Sequence, residues 1–320
     1  MVTVGAIMFL EKNSRFFRRY HFSFKPKTKF APALPLVASD KHYSIKDALV
    51  RARANKVAQA VQPNGDLVEL VAIRDDDKNG VLTLLFHRSS PSAADPSYRK
   101  WIKDKLAVRQ ATKETDEEQA VSAHMVIRSK PSSPMTYDFA LEEIPGLSIS
   151  VIKPIFGTVL RGYEYPYEDK KGEDKETYTI VKSNGIKAEG LDSALKKKGS
   201  INYINLVRTN IPDAPDSDGI AEPQVERIKY KIVGDPSSPE WNAKLRKFIG
   251  KVRSEDWDDV YLELSLDDDR HRTVKVDRED EAAEILFVRS EQVAIKTELK
   301  PCTQSIIDEI VDAARTLLIK

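Results

Sequence analysis

The sequence predicts an α+β protein of two domains, each a mainly antiparallel sheet with helices packed on one face. Three observations carry this. Short apolar runs are joined by tight turn sequences, as in VELVAIRDDDKNGVLTLLF, where Asn79-Gly80 marks a hairpin. The end of the chain reads β-α-β-β-β-α with short connections, which is α+β order. Residues 209–224, TNIPDAPDSDGIAEPQ, combine prolines, acids and a glycine without periodicity, as a linker does. The expected division is a domain over 1–208, a linker over 209–224 and a domain over 225–320.

The first strand lies within residues 12–30, KNSRFFRRYHFSFKPKTKF, which holds seven Lys/Arg and six aromatics and no carboxylate. Successive side chains of a strand point to opposite faces. Tyr20, Phe22 and Phe24 then face a core, and Arg19, His21 and Lys25 face solvent. Residues 31–41 form a connector with two prolines. Ser44, with Asp47 three positions on, caps a helix whose apolar face is Ile45, Ala48, Leu49, Ala52 and Val57. Pro63-Asn64-Gly65 stops it. The hairpin of residues 67–74 and 80–88 follows.

The spacing of Tyr98, Trp101, Ile102, Lys105 and Leu106 predicts a helix over 96–108. Residues 120–128 and 137–143 read as strands. In ISVIKPIFGTVLR, Pro154 predicts a turn with a short helix after it. Residues 163–175 read as a charged loop, 177–182 as a strand, 190–198 as a short helix with a lysine-rich end, and 201–207 as a strand. After the linker come a strand at 225–233, a helix at 236–253, and strands at 259–266, 272–277, 285–288 and 293–300. An amphipathic helix at 303–318 closes the chain.

The totals set bounds on function. The chain has 320 residues with 51 basic and 50 acidic side chains, for a net charge of +1. A nucleic-acid site must therefore be a local patch and not a global field. A single cysteine, Cys302, leaves no internal disulfide and no Cys-cluster zinc site, which fits a reducing cytosol. No apolar run approaches the roughly 20 residues a bilayer-crossing helix needs. The opening MVTVGAIMFL lacks the basic residues of a signal peptide; it is a first strand or an extension preceding Met8.

Chemistry is sparse. There is no Walker A motif, no GxGxxG and no GxSxG, and the five histidines lack metal-ligand spacing. His124, in an apolar strand, reads as a satisfied core residue. Asp75-Asp76-Asp77 and Asp267-Asp268-Asp269 read as hairpin turns. Glu298 and Lys300, two apart on an expected strand, share a face where an acid can hold a metal and a lysine a phosphate. A nuclease would need a further carboxylate there, from Glu263, Asp277 or Glu284.

The strongest binding expectation is the basic row. Arg15, Arg18, Arg19, Lys25, Lys27 and Lys29 can follow a phosphate backbone with counterion release, with Lys196, Lys197 and Lys198 assisting. Such contacts carry no base information, so the expected function is sequence-independent binding of duplex DNA without an enzymatic step or a cofactor. Two alternatives are a metal-dependent nuclease using Glu298 and Lys300, and an interaction module that pairs the basic strand edge to edge in a homodimer. Cations also guard open sheet edges, which explains the row without any ligand.

The order of elements resembles the RexA-type phage-exclusion proteins and, more loosely, the KwaB-type antiphage proteins. The segments that carry the resemblance are VELVAIRDDDKNGVLTLLF, ISVIKPIFGTVLR, and DVYLELSLDDDRHRTVKVD followed by a terminal helix. It implies a cytoplasmic, dimeric DNA-binding protein of a phage-defence or exclusion system, acting with a small membrane protein encoded nearby. It assigns no individual residues.

Overall fold

The computed structural model describes residues 10–38, 43–186, 189–190, 200–208, 225–233, 239–255, 257–265, 271–276, 286–287 and 290–319. The chain forms an α+β structure built on antiparallel sheets, and it divides into two compact units, one of residues 1–185 with 290–320 and one of residues 186–289. The boundary therefore does not follow the expected 1–208, 209–224 and 225–320. The second unit is an insertion, and the end of the chain returns to the first.

In the first unit, β1 (Ser14–Pro26) is followed by α1 (Ile45–Ala54), β2 (Gln59–Val61), β3 (Leu67–Asp76) and β4 (Val81–Ser90). Next come a separate hairpin, β5 (Ser97–Ile102) and β6 (Lys105–Gln110), then β7 (Gln119–Arg128), β8 (Thr136–Glu142) and α2 (Ile149–Arg161). A small hairpin, β9 (Tyr165–Glu168) and β10 (Asp174–Thr177), leads into β11 (Thr179–Gly185). The principal sheet has eight strands, ordered β11-β1-β8-β7-β4-β3-β2, and β18 (Ser290–Ala294) also pairs with β1. The last element of the unit is the C-terminal helix at Asp308–Ile319.

β1 is an interior strand. On one side its residues 14–18 pair with β18 and its residues 20–26 with β11; on the other, residues 17–23 pair with β8. The basic strand thus offers no free edge, either for a guard of charges or for the expected pairing in a homodimer.

Strand alternation fills both faces. Tyr20, Phe22, Phe24, Leu82, Leu84, Met125, Ile127 and Phe139 point to the side of α1 and α2. Phe17, Val81, Val126 and Ala140 point to the other side, against Ile310, Val311, Ala314 and Leu317 of the C-terminal helix. That is why the first six residues of β4 read as a near-continuous apolar run. Helices therefore cover both faces of this sheet and not one.

Local chemistry explains most elements. The Ser44 hydroxyl accepts from the Asp47 N–H at 3.1 Å and caps α1. The helix stops at Ala54, so Val57 is exposed and not part of its buried face. Asn79 N–H donates to Asp76 Oδ1 at 3.1 Å, and Gly80 takes a φ of +62° in the β3–β4 turn. Pro154 sits inside α2 without ending it. Its missing N–H would face the carbonyl of Ser150, an exposed residue. Burial of Ile152, Ile155, Phe156, Val159 and Leu160 outweighs the loss of that bond. The segment 163–175 forms the β9–β10 hairpin instead of the expected loop.

The second unit contains β12 (Glu189–Gly190), β13 (Ser200–Arg208), β14 (Glu226–Lys231), α3 (Pro239–Ser254), β15 (Asp259–Ser265), β16 (His271–Val276) and β17 (Leu286–Phe287). The helix at Asp308–Ile319 is accordingly α4. The second unit's sheet runs β14-β13-β15-β16, and Leu245 and Val252 of α3 join Ile204, Leu206, Val260 and Leu262 in its core. β13 pairs with β14, with Arg208 opposite Glu226. Residues 209–224 lie outside the described residues; the strands on either side of them, ending at Arg208 and starting at Glu226, pair in one sheet and do not fall in two domains.

The tightest constraint in the first unit is a buried ionic network. Arg15 and Glu142 are 4% and 2% exposed, with Nε and Oε1 2.7 Å apart. The Ile307 N–H donates to His124 Nε2 at 3.1 Å, which places the imidazole proton on Nδ1. Nδ1–H and the His124 backbone N–H both donate to Glu142 Oε2, at 2.8 and 3.0 Å. Removing the shared acceptor leaves a buried guanidinium unpaired. Glu142→Ala is expected to destabilise the first unit by roughly 3–5 kcal/mol, and Phe22→Ala by about 3–5 kcal/mol through loss of a fully buried ring. Urea unfolding, followed by circular dichroism, measures both.

Candidate nucleic-acid interface

The structure separates the basic row into two groups. Arg15 is buried against Glu142 and also donates to the carbonyls of Ser14 at 2.8 Å and Lys300 at 3.3 Å. It cannot reach a phosphate. Arg18 is ion-paired with Glu143. Arg19 meets Glu291 at 3.0 Å and donates to the Leu317 carbonyl at 3.2 Å, holding α4 against the sheet. These three arginines are structural cations. Lys25, Lys27 and Lys29 are exposed beyond them. On β11, exposed Lys182 stands opposite Ser23, two positions along the same face from Lys25. Lys29 and Lys170 both approach the exposed Phe30 ring, at 5.8 and 3.9 Å. Lys196, Lys197 and Lys198 lie outside the described residues.

The nuclease expectation loses its geometry. Residues 298–300 are not in a strand, since β18 ends at Ala294. Glu298 is exposed and its carboxylate pairs with Lys12 at 2.8 Å, which lowers its pKa by a direct hydrogen bond. Leu299 is buried in the α4 cluster and fixes this segment. Among the described residues, no three His, Cys, Asp or Glu side chains group as metal ligands do. Asp277 and Glu284, like Asp267 to Asp269, lie outside the described residues. Asp75 pairs with Lys46 and Asp76 holds the turn, as expected of turn acids.

An exposed hairpin stands where the spacing predicted a helix. Residues 97–110 form the β5–β6 hairpin, a two-stranded sheet of its own. Lys103 and Asp104 form its two-residue turn, both with positive φ, 46° and 61°. That is the backbone of a type I′ turn, whose twist matches the strands it joins. Trp101 and Leu106 are cross-strand partners, as are Arg99 and Val108, Lys100 and Ala107, and Tyr98 and Arg109. One face thus carries Arg99, Trp101, Leu106 and Val108. The other carries Tyr98, Lys100, Ile102, Lys105 and Arg109.

No residue of this hairpin is buried. Trp101 is 69% exposed and Val108 66%, with Tyr98, Ile102 and Leu106 also open. The Arg109 guanidinium stacks 5.2 Å from the Tyr98 ring centroid. Five cations, Arg99, Lys100, Lys103, Lys105 and Arg109, stand against one carboxylate, Asp104. The acids of the following segment, Glu114, Asp116, Glu117 and Glu118, belong to the connection beyond β6 and not to the ribbon. Six residues per strand give a ribbon about 20 Å long.

The available signal was the pair of six-residue runs flanking a polar dipeptide. The apolar positions fit a period of 3.6 about as well as a period of 2, and the turn lacks the glycine that marks most type I′ hairpins.

Comparison of the chain with protein-family models, curated proteins and solved structures gives no match. No helix among the described residues is long and apolar enough to cross a membrane.

Since Trp101 and Val108 are largely exposed, Trp101→Ala and Val108→Thr are expected to change unfolding free energy by no more than about 0.5 kcal/mol. A urea denaturation curve measures this, and a larger loss would mean that the ribbon packs against the rest of the chain.

Proposed function

We propose that the protein binds nucleic acid without sequence preference, and that the β5–β6 hairpin is its principal contact. The observation that carries this is the unburied ribbon, in which Arg99, Lys100, Lys105 and Arg109 alternate with Tyr98, Trp101 and Ile102. A two-stranded β-ribbon fits the major groove of duplex DNA. Its cations can meet phosphates on either wall, and Trp101 and Tyr98 present rings that can stack on bases or sugars. Lys25, Lys27 and Lys29 supply a second exposed cationic site on the same unit. The near-neutral total charge is compatible with this because the field of a ribbon is local on the scale of the Debye length.

The setting we propose is the one implied by resemblance to the RexA-type proteins: a cytoplasmic, non-enzymatic component of a phage-exclusion system, dimeric and acting beside a small membrane protein. The layout of elements supports that setting, and the hairpin supports the DNA contact.

The test is fluorescence anisotropy of a short labelled duplex across a salt series. Wild-type affinity is expected to fall steeply with salt, with a slope that counts the phosphate contacts. The triple variant Lys100→Glu, Lys105→Glu, Arg109→Glu should bind at least about tenfold more weakly and show a shallower slope. Arg18→Gln should leave the slope unchanged, because its charge is directed to Glu143. Equal binding by the triple variant and wild type, or no binding of wild type at low salt, would remove the reading.

A further inference from the structure

β14 is a terminal strand of the second unit's sheet and pairs only with β13 among the described strands. Hydrogen bonds at its ends show which of its groups face outward. The Ile232 N–H, one residue past the strand, donates to the Asn202 carbonyl at 3.0 Å, toward β13. The Asp258 N–H donates to the Val207 carbonyl at 3.0 Å, so Val207, opposite Arg227, directs its backbone away from β14. In an antiparallel ladder a residue directs its N–H and C=O to the same side, and hydrogen-bonded and non-bonded pairs alternate. Both bonds fix the same alternation. Ile228, Tyr230 and Ile232 face β13, and Arg227, Lys229 and Lys231 turn their N–H and C=O outward. All three outward residues are exposed.

The two faces of this edge differ in chemistry. Ile228 and Ile232 pack on the core of the unit, on the side of α3, and Tyr230 meets the Phe248 ring edge-on with centroids 5.4 Å apart. Between β14 and α3 lies a groove of about 380 Å³ whose walls include Tyr230, Ile232, Trp241 and Phe248, with Glu240 and Lys244 on the helix side. Arg227, Lys229 and Lys231 stand on the opposite face of the sheet. Lys229 is committed there, with Nζ 2.8 Å from Glu263 Oε1 and 4.0 Å from the Tyr203 ring centroid. Arg227 and Lys231 are open to solvent.

We infer that β14 docks an extended segment of a partner protein in which acidic and large apolar residues alternate, and that this segment adds to the sheet as a further antiparallel strand. The outward N–H and C=O groups of Arg227, Lys229 and Lys231 form the ladder. Successive side chains of the added strand go to opposite faces. Its apolar residues therefore enter the groove beside Tyr230 and Trp241, and its carboxylates stand beside Arg227 and Lys231. Cations along a sheet edge deter strands of like charge and leave an acidic strand as the complementary occupant. A second copy of this chain is the poorer occupant. Antiparallel pairing of two β14 edges sets outward residues against outward residues, which are Arg or Lys in every register, and like charges directly opposite destabilise a pair. This site is separate from the hairpin, so it stands or falls independently of DNA binding.

Two measurements test it on the full chain. Amide hydrogen exchange of the free protein should show fast exchange at Arg227, Lys229 and Lys231 and protection at Ile228 and Tyr230. Panning a phage-displayed library of random octapeptides should then enrich peptides in which Asp or Glu alternates with large apolar residues. A synthetic peptide from the enriched pool should slow exchange at Lys229 and Lys231. It should also lose at least about tenfold in affinity to Arg227→Glu with Lys231→Glu. Lys231→Pro, which removes one outward N–H and spares the bonds to β13, should weaken the same peptide while the protein stays folded. The inference is overturned if Lys229 and Lys231 are already protected in the free protein, whether by its own chain or by a dimer. It is also overturned if panning enriches no peptide with that alternation, or if the enriched peptides bind the charge-reversed variant equally well.

Discussion

β1 has no free side. Strands flank it along both edges over most of its length, and helices cover both of its faces, so every cation it carries must find an acceptor inside the fold or leave through an exposed end. Arg15 is the extreme case. A guanidinium at 4% exposure is tolerable only because Glu142 answers its charge and backbone carbonyls take further N–H groups. Taking two ions out of water costs several kcal/mol each, which a close pair offsets when its remaining hydrogen bonds are made. The same carboxylate orients His124, and His124 in turn receives the Ile307 N–H just before α4. One acid therefore ties β1, β7, β8 and the return of the chain into a single arrangement.

That arrangement explains how an inserted unit can sit within a folded one. The first unit contributes strands from residue 14 onward and completes its sheet only with residues 290–294. Asn13 and Lys12 carbonyls accept from the N–H groups of Ile295 and Leu299 at 2.8 and 2.7 Å, and the Ser122 hydroxyl accepts from Thr303 N–H at 3.0 Å. These bonds hold the returning segment so that α4 covers Phe17, Val81, Val126 and Ala140. Without the return, one whole face of the sheet's centre would be apolar and exposed.

Against that core, the β5–β6 ribbon leaves large rings and cations exposed. The Arg109 guanidinium stacks on the Tyr98 ring, and Trp101, Ile102, Leu106 and Val108 remain exposed. Polar backbone and large rings are normally covered in a folded domain. The exposed ribbon is the feature on which the proposed nucleic-acid contact rests.

The sequence by itself determined the α+β class, the Ser44 cap, the β3–β4 hairpin, the core parity of Tyr20, Phe22 and Phe24, and the amphipathic closing helix. Each of these depends on residues within a few positions of one another, through periodicity, capping or turn chemistry. Only the tertiary structure decided what the basic row does. Its partners, Glu142, Glu143 and Glu291, lie more than a hundred positions away, so an acid-free stretch looked unpaired when it was not. Tertiary structure also decided the domain boundary, since a Pro- and acid-rich connection looks the same between two domains as between two paired strands. It decided the hairpin at 97–110 too, where a short pattern satisfied two periods and the chain had no glycine to mark the turn. Local signals fix local conformation; the pairing of distant charges and strands depends on distances that sequence spacing does not contain.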